Sequence, residues 1–244
     1  MRYKLTLEYD GTPFIGWQKQ AGQTSVQGVL EVALKTYLRT PIIVYGSGRT
    51  DTGVHAVGQV AHFDVNKKLD IRKTTYSLNA LMRPHPVVIR KMELVDDSFH
   101  ARFSAKQRTY LYRIQNTSFP PALNAGRVWH VNQKLNTKKM NEAAKLLIGK
   151  HDFSTFRAAN CQAKSPIKTL DLLTVKRVGE EVQITVSAKS FLYHQVRNFA
   201  GALVKVGLGK WSIADFEKAF RAKDRTKGAE TAPAEGLYFM KVEY

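Results

Sequence analysis

The sequence predicts an α+β fold of two ferredoxin-like (split βαβ) halves, with mainly antiparallel sheet and helices on one face. Three observations carry that expectation. Tyr3, Leu5, Leu7 and Tyr9 alternate with polar residues, the period of a half-buried strand. Val26, Val29, Leu30, Ala33, Leu34, Tyr37 and Leu38 recur at i, i+3 and i+4, the stripe of an amphipathic helix. Taken in sequence, the first hundred residues read β-α-β-β-α-β, which is the split βαβ order.

The first strand ends where Asp10-Gly11 sets a turn. Ser25 stands where the helix over 26–38 needs an N-cap, and Pro41 closes that helix. Ile42-Ile43-Val44-Tyr45 reads as a second strand running straight into a glycine-rich loop. A third strand is expected over 57–65 and a short helix over 71–82. Pro84 and Pro86 then bracket a turn before the strand Val87-Val88-Ile89.

The second half continues with a strand over 109–115 and a helix over 140–148. Strands over 170–178 and 182–188 form a hairpin through Gly179-Glu180. Helices follow over 193–206 and 212–220, the latter opened by Ser212-x-x-Asp215, a capping-box spacing. A strand over 237–242 closes the chain. The expected division is 1–104, carrying the glycine-rich loop, and 105–244, carrying the strand at 109–115 and the helix at 193–206. No linker rich in Pro, Gly or Ser separates them, and no sequence repeat marks a duplication.

Composition narrows the function classes. A chain of 244 residues with 43% apolar and 10% aromatic content can bury a sizeable core. It has 38 Lys and Arg against 20 Asp and Glu, a net charge of +18. Such an excess is self-repulsive and is offset by a polyanionic partner. The cations are dispersed: Lys67, Lys68, Arg72 and Lys73; Arg102, Lys106, Arg108 and Arg113; Lys134, Lys138 and Lys139. That spread suits a broad surface following a phosphate backbone rather than a basic tail. No apolar run approaches the roughly 18 residues of a membrane span, and the N-terminus has no signal-peptide core. The lone Cys161 excludes an intramolecular disulfide, so a cytoplasmic protein is expected. The seven histidines show no paired ligand spacing, and neither a metal nor a cofactor is expected.

Three stretches carry chemistry. Gly46-Ser47-Gly48-Arg49-Thr50-Asp51-Thr52-Gly53-Val54-His55-Ala56 places a carboxylate on a glycine-rich loop. Asp51 there can serve as nucleophile, acid–base group or metal ligand, or simply close an Asx-turn. Tyr110 and Tyr112 share one face of a strand, either as a core pair or as a stacking platform for a base beside Arg108 and Arg113. Arg197 sits at the edge of the stripe Val196, Phe199, Ala200 and Leu203. It either snorkels to solvent or pairs with a carboxylate such as Asp51, which would keep that carboxylate anionic and nucleophilic.

Further motifs accompany these in a fixed order: Glu8-Tyr9-Asp10-Gly11, Gly16-Trp17-Gln18, Asp97-Ser98-Phe99-His100-Ala101-Arg102-Phe103, Asp152-Phe153-Ser154-Thr155-Phe156-Arg157, Phe191-Leu192-Tyr193-His194-Gln195-Val196-Arg197-Asn198 and Ala234-Glu235-Gly236-Leu237-Tyr238. In them the chain resembles the TruA family of tRNA pseudouridine synthases over nearly its whole length. The resemblance implies isomerisation of uridine to pseudouridine in the anticodon stem-loop of tRNA, around positions 38 to 40. It further implies a homodimer, no cofactor, and an RNA-binding cleft between the halves. By the same resemblance Asp51 matches the catalytic aspartate. Tyr110 matches the tyrosine that stacks on the target base, Arg197 the arginine that pairs with the aspartate, and Arg49 the arginine that holds the flipped base. The chain departs from the family at Thr52, where Ala is frequent, and at Gln195, where Met is common.

Three other readings stand beside this one. A non-catalytic basic RNA-binding or chaperoning domain accounts for the charge and the tyrosines. A hydrolase with Asp51 as nucleophile needs a metal or a second carboxylate, and no acid lies within ten residues of Asp51 on either side. The same isomerase acting at another RNA position fits the residues equally well.

Overall fold

The computed structural model describes residues 1–244. It is an α+β protein of ten strands and five helices, and its long strand pairings are antiparallel. The chain forms two compact units, Met1–Lys106 with Phe239–Tyr244, and Gln107–Tyr238.

The first unit contains β1 (Arg2–Tyr9), α1 (Val26–Leu38), β2 (Tyr45–Gly46), β3 (His55–Asp64), α2 (Ile71–Leu81) and β4 (Val87–Val95). Its sheet runs β4-β1-β3, with β2 beside β3. Leu5 of β1 pairs with Ala61 on one side and Met92 on the other. The alternation expected of β1 is present: Tyr3, Leu5, Leu7 and Tyr9 are buried, while Arg2, Lys4, Thr6 and Glu8 are half-buried or exposed. Ser25 caps α1, its Oγ accepting from Gly28 N at 3.2 Å. Asp70 caps α2 by accepting from Lys73 N at 2.9 Å.

The strand expected over 42–45 is largely absent. Only Tyr45–Gly46 pairs, against His62 and Ala61. Val44 is buried, but helix side chains take its backbone: Gln27 Nε2 donates to Val44 O and Val44 N donates to Glu31 Oε1. Satisfied from α1, that backbone has no need of a sheet neighbour. The end of α1 also differs from expectation, since Arg39 in the left-handed region (φ 60°) stops it before Pro41.

The second unit contains β5 (Gln107–Gln115), β6 (Trp129–His130), α3 (Thr137–Lys145), β7 (Gly149–Asp152), β8 (Ile167–Val178), β9 (Glu181–Ala188), α4 (Gln195–Gly207) and α5 (Ile213–Arg221). Its sheet runs β5-β9-β8-β7, with the short β6 parallel to β5. The β8–β9 hairpin closes at Val178↔Glu181 around Gly179, whose φ of +58° suits glycine. The closing strand β10 (Leu237–Glu243) begins in this unit, and its residues from Phe239 onward belong to the first, beside β3. Helix α3 lies earlier than expected because Asn136 caps it, accepting from Lys139 N at 3.1 Å. The capping box of α5 is fully formed between Ser212 and Asp215. Phe153, Phe156, Phe199, Phe216 and Phe220 form an aromatic core, with Phe156 and Phe199 ring centroids 4.8 Å apart. No helix is long and apolar enough to cross a membrane.

Candidate active site

The Asp51 loop joins β2 to β3 and rests on the segment that follows β1. Trp17 N donates to Thr50 O at 3.0 Å, and Gly53 N donates to Phe14 O at 3.4 Å. Thr52 Oγ1 donates to Ile15 O at 3.0 Å, so its hydroxyl adds an anchor. Tyr9 Oη lies 2.8 Å from Thr50 Oγ1. Burial pushes the Tyr9 phenol up to about 12, with its hydrogen bond to Thr50 opposing. The phenol therefore stays neutral and holds the loop throughout the physiological range. On the other flank Ser47 Oγ donates to Gln59 Oε1 at 2.6 Å and Gln59 Nε2 donates to Gly48 O at 2.9 Å.

Two close approaches need glycine. Gly16 has φ +108°, and a Cβ there would lie 2.4 Å from Thr50 O. A Cβ on Gly11 would lie 2.1 Å from Val54 O. The Gly11-x4-Gly16 stretch is thus the floor on which residues 50–54 lie. The loop turns through Val54 N donating to Asp51 O at 3.1 Å, and Gly53 takes φ +77°. Asp51 itself is half-buried at the crest of this turn. His55 Nδ1 lies 3.0 Å from Gly11 N and 3.2 Å from Asp10 Oδ1, which ties the start of β3 to the turn after β1. Arg49 is exposed, with Nε donating to Gln18 Oε1 at 2.9 Å.

The remaining predicted residues belong to the second unit. Tyr110 lies on β5 opposite Val186 of β9 and is 8% exposed. Its ring meets Phe191 edge-on, centroids 5.1 Å apart at 88°. Tyr112, two residues on, is wholly buried and donates to Pro233 O at 2.7 Å. Burial raises its phenol well above the ordinary value. Both tyrosines are therefore buried, Tyr112 completely and Tyr110 nearly so. Arg197 is half-buried in the first turn of α4, with Nε donating to Ala232 O at 2.8 Å. Val196, Phe199, Ala200 and Leu203 form the buried stripe of that helix, as their spacing predicts.

Helix α4 starts two residues later than expected because His194 adopts φ 60° and no side chain caps it. Gln195 folds back so that Oε1 accepts from Leu192 N at 2.7 Å, while its buried Nε2 has no hydrogen-bond partner. The structure thus joins Asp51 and Arg49 on one loop of the first unit and seats Tyr110 and Arg197 on β5 and α4 of the second. The supporting residues Tyr9, Gln59 and Phe191 went unassigned from sequence. Tyr9 and Phe191 lie inside the ordered motifs, whereas nothing in the sequence marks Gln59. No group of three or more His, Cys, Asp or Glu side chains converges as a metal site would.

The tRNA pseudouridine synthase family model matches residues 6–104 and 143–244. Three curated relatives, each named tRNA pseudouridine synthase A, align over 243 residues and 100% of this chain. The protein of Xanthobacter autotrophicus is 53% identical over 99% of its own length. That of Maricaulis maris is 51% identical over 98%, and that of Paramagnetospirillum magneticum 54% identical over 95%. With an anchored aspartate loop, full-length likeness and a family model covering most of its residues, the chain belongs to the tRNA pseudouridine synthases, a family of isomerases.

Proposed function

We propose that this enzyme isomerises uridine to pseudouridine in the anticodon stem-loop of tRNA, at positions 38 to 40, with Asp51 as its nucleophile. The observation that carries the reading is Asp51 on a loop fixed by at least three backbone or side-chain bonds to residues 14–17, within a chain alike to tRNA pseudouridine synthases over its full length. The reaction breaks the N1–C1′ glycosidic bond, turns the uracil and joins C5 to C1′. Substrate and product are isomers, so the chemistry calls for no oxidant, donor or cofactor.

The target base has to leave its stack, at a cost of about a few kcal/mol. In this reading the ring of Tyr110 stacks on the flipped base and Arg49 holds the base in its flipped state. In the same reading Arg197 is the residue that pairs with Asp51. The carboxylate then engages the uridine at C6 of the base or C1′ of the ribose, or assists elimination to a glycal. Each route ends in the same C5–C1′ bond. The enzyme acts in the cytoplasm as a homodimer, and its +18 charge draws the RNA to it.

The test is direct. Unmodified tRNA transcripts treated with the purified protein, then mapped by carbodiimide and primer extension, should show new stops at positions 38 to 40 wherever uridine stands there. Stops elsewhere alone would overturn the positional assignment, and no stops would overturn the activity.

A further inference from the structure

A concentrated positive surface away from the Asp51 loop is the outer face of α2 with the turn before it. Residues 65–73 include Lys67, Lys68, Arg72 and Lys73, against one carboxylate, Asp70. Asp70 is engaged as the helix cap. The first turn of α2 therefore carries Arg72 and Lys73 with no acid among them, at the positive end of the helix dipole, where cations are disfavoured. Tyr37 Oη lies 3.2 Å from Thr74 Oγ1, which sets the last turn of α1, with Lys35, against this first turn. The inner side of α2 is buried through Thr74 and Leu78, and Lys67, Lys68, Arg72 and Lys73 are all exposed.

An aromatic ring stands among them. Tyr76 is 68% exposed, and the guanidinium of Arg72 lies 6.0 Å from its ring centroid. Ammonium groups reach phosphates, while a guanidinium plane and a tyrosine ring stack on nucleobases. The surface is also remote from the chemistry. The Asp51 loop feeds β3 at His55, and that strand runs ten residues to Asp64 before α2 begins. At about 3.3 Å per residue the strand is about 30 Å long.

We propose that the outer face of α2 and its preceding turn form a second RNA-docking surface, gripping the phosphate backbone of a folded tRNA about 30 Å from the reacting uridine. The proposal rests on the tRNA reading above and adds a second point of attachment to it. Charge selects RNA as the occupant, since Lys67, Lys68, Arg72 and Lys73 are all exposed and the one acid among them is taken up as the helix cap.

The test combines Lys67→Ala, Lys68→Ala, Arg72→Ala and Lys73→Ala in one variant. Alanine favours helix and Asp70 still caps α2, so its thermal unfolding midpoint should equal or exceed that of the wild type. On full-length tRNA, KM should rise about tenfold with kcat unchanged, and the plot of log affinity against log salt should flatten by about 2 to 3. On an isolated stem-loop too short to span the distance, wild type and variant should turn over alike. Unchanged KM and salt slope on full-length tRNA would overturn this proposal alone. Equal loss on both RNAs would overturn the remote placement. A surface that instead binds vesicles of anionic lipid more tightly than tRNA, and loses that in the variant, would assign it to membrane. Wild-type protein that forms no pseudouridine on either RNA would overturn both readings.

Discussion

Gly16→Ala should disable the enzyme although Gly16 contributes no reacting atom. Its φ is +108°, and the added Cβ would lie 2.4 Å from Thr50 O and 3.0 Å from the carbonyl carbon of Asp51. An ordinary contact starts near 3.4 Å, so the Thr50 carbonyl has to retreat by about 1 Å, stretching its bond from Trp17 N beyond hydrogen-bond range. A catalytic group misplaced by about 1 Å costs about 100-fold in rate. The left-handed φ adds strain of about 1–3 kcal/mol. Tritium release from C5-labelled uridine in tRNA should therefore fall about 100-fold in kcat, with tRNA affinity within a few fold. Gly22→Ala is the control: Gly22 also has positive φ (+72°), but a Cβ there meets nothing within 4 Å. It should leave kcat unchanged. A Gly16→Ala enzyme with wild-type kcat would refute the argument that this floor positions the aspartate.

Two further outcomes concern stability. Burial, then the nearby His100 and Arg2 charges, hold the His62 imidazole down at about 4, and its Nδ1 accepts from Ala101 N. The folded state thus keeps His62 neutral while the unfolded chain protonates near pH 6.5, so stability present above that pH is lost as pH falls toward 4. The loss between pH 8 and pH 5 from this group is about 2 kcal/mol, to be read by urea titration, and His62→Gln should flatten that part of the profile. Ser212→Ala removes the bond to Asp215 N and half of a capping box, which should lower stability by about 1 kcal/mol without changing kcat.

Much of the fold was legible because local and tertiary demands agree. Ser25, Ser212 and Gly179 do at their positions what their chemistry favours, and the alternation in β1 is buried as written. The strand over 42–45 failed for a tertiary reason, since Gln27 and Glu31 of α1 satisfy Val44 in place of a sheet neighbour. The start of α4 was misplaced because a histidine takes a left-handed conformation that no residue type announces. β6 and β7, of two and four residues, are too short to show a period. In the candidate site, Asp51, Tyr110, Arg49 and Arg197 were assigned from motif order, while spacing alone left Asp51, Tyr110 and Arg197 each with a structural alternative. Tyr112 resolves toward its structural one, with its ring in the core and its hydroxyl on Pro233 O. Gln59 and Ala232 were beyond reach, because their parts depend on long-range contacts to Gly48 and Arg197.

The central claim is that Asp51 performs the chemistry. Asp51→Asn keeps the shape and the backbone turn of the loop but removes the nucleophilic carboxylate. Tritium release from C5-labelled uridine in tRNA should fall by at least about 1,000-fold, while tRNA binding stays within a few fold of wild type. An Asp51→Asn enzyme that releases tritium at the wild-type rate would contradict the account.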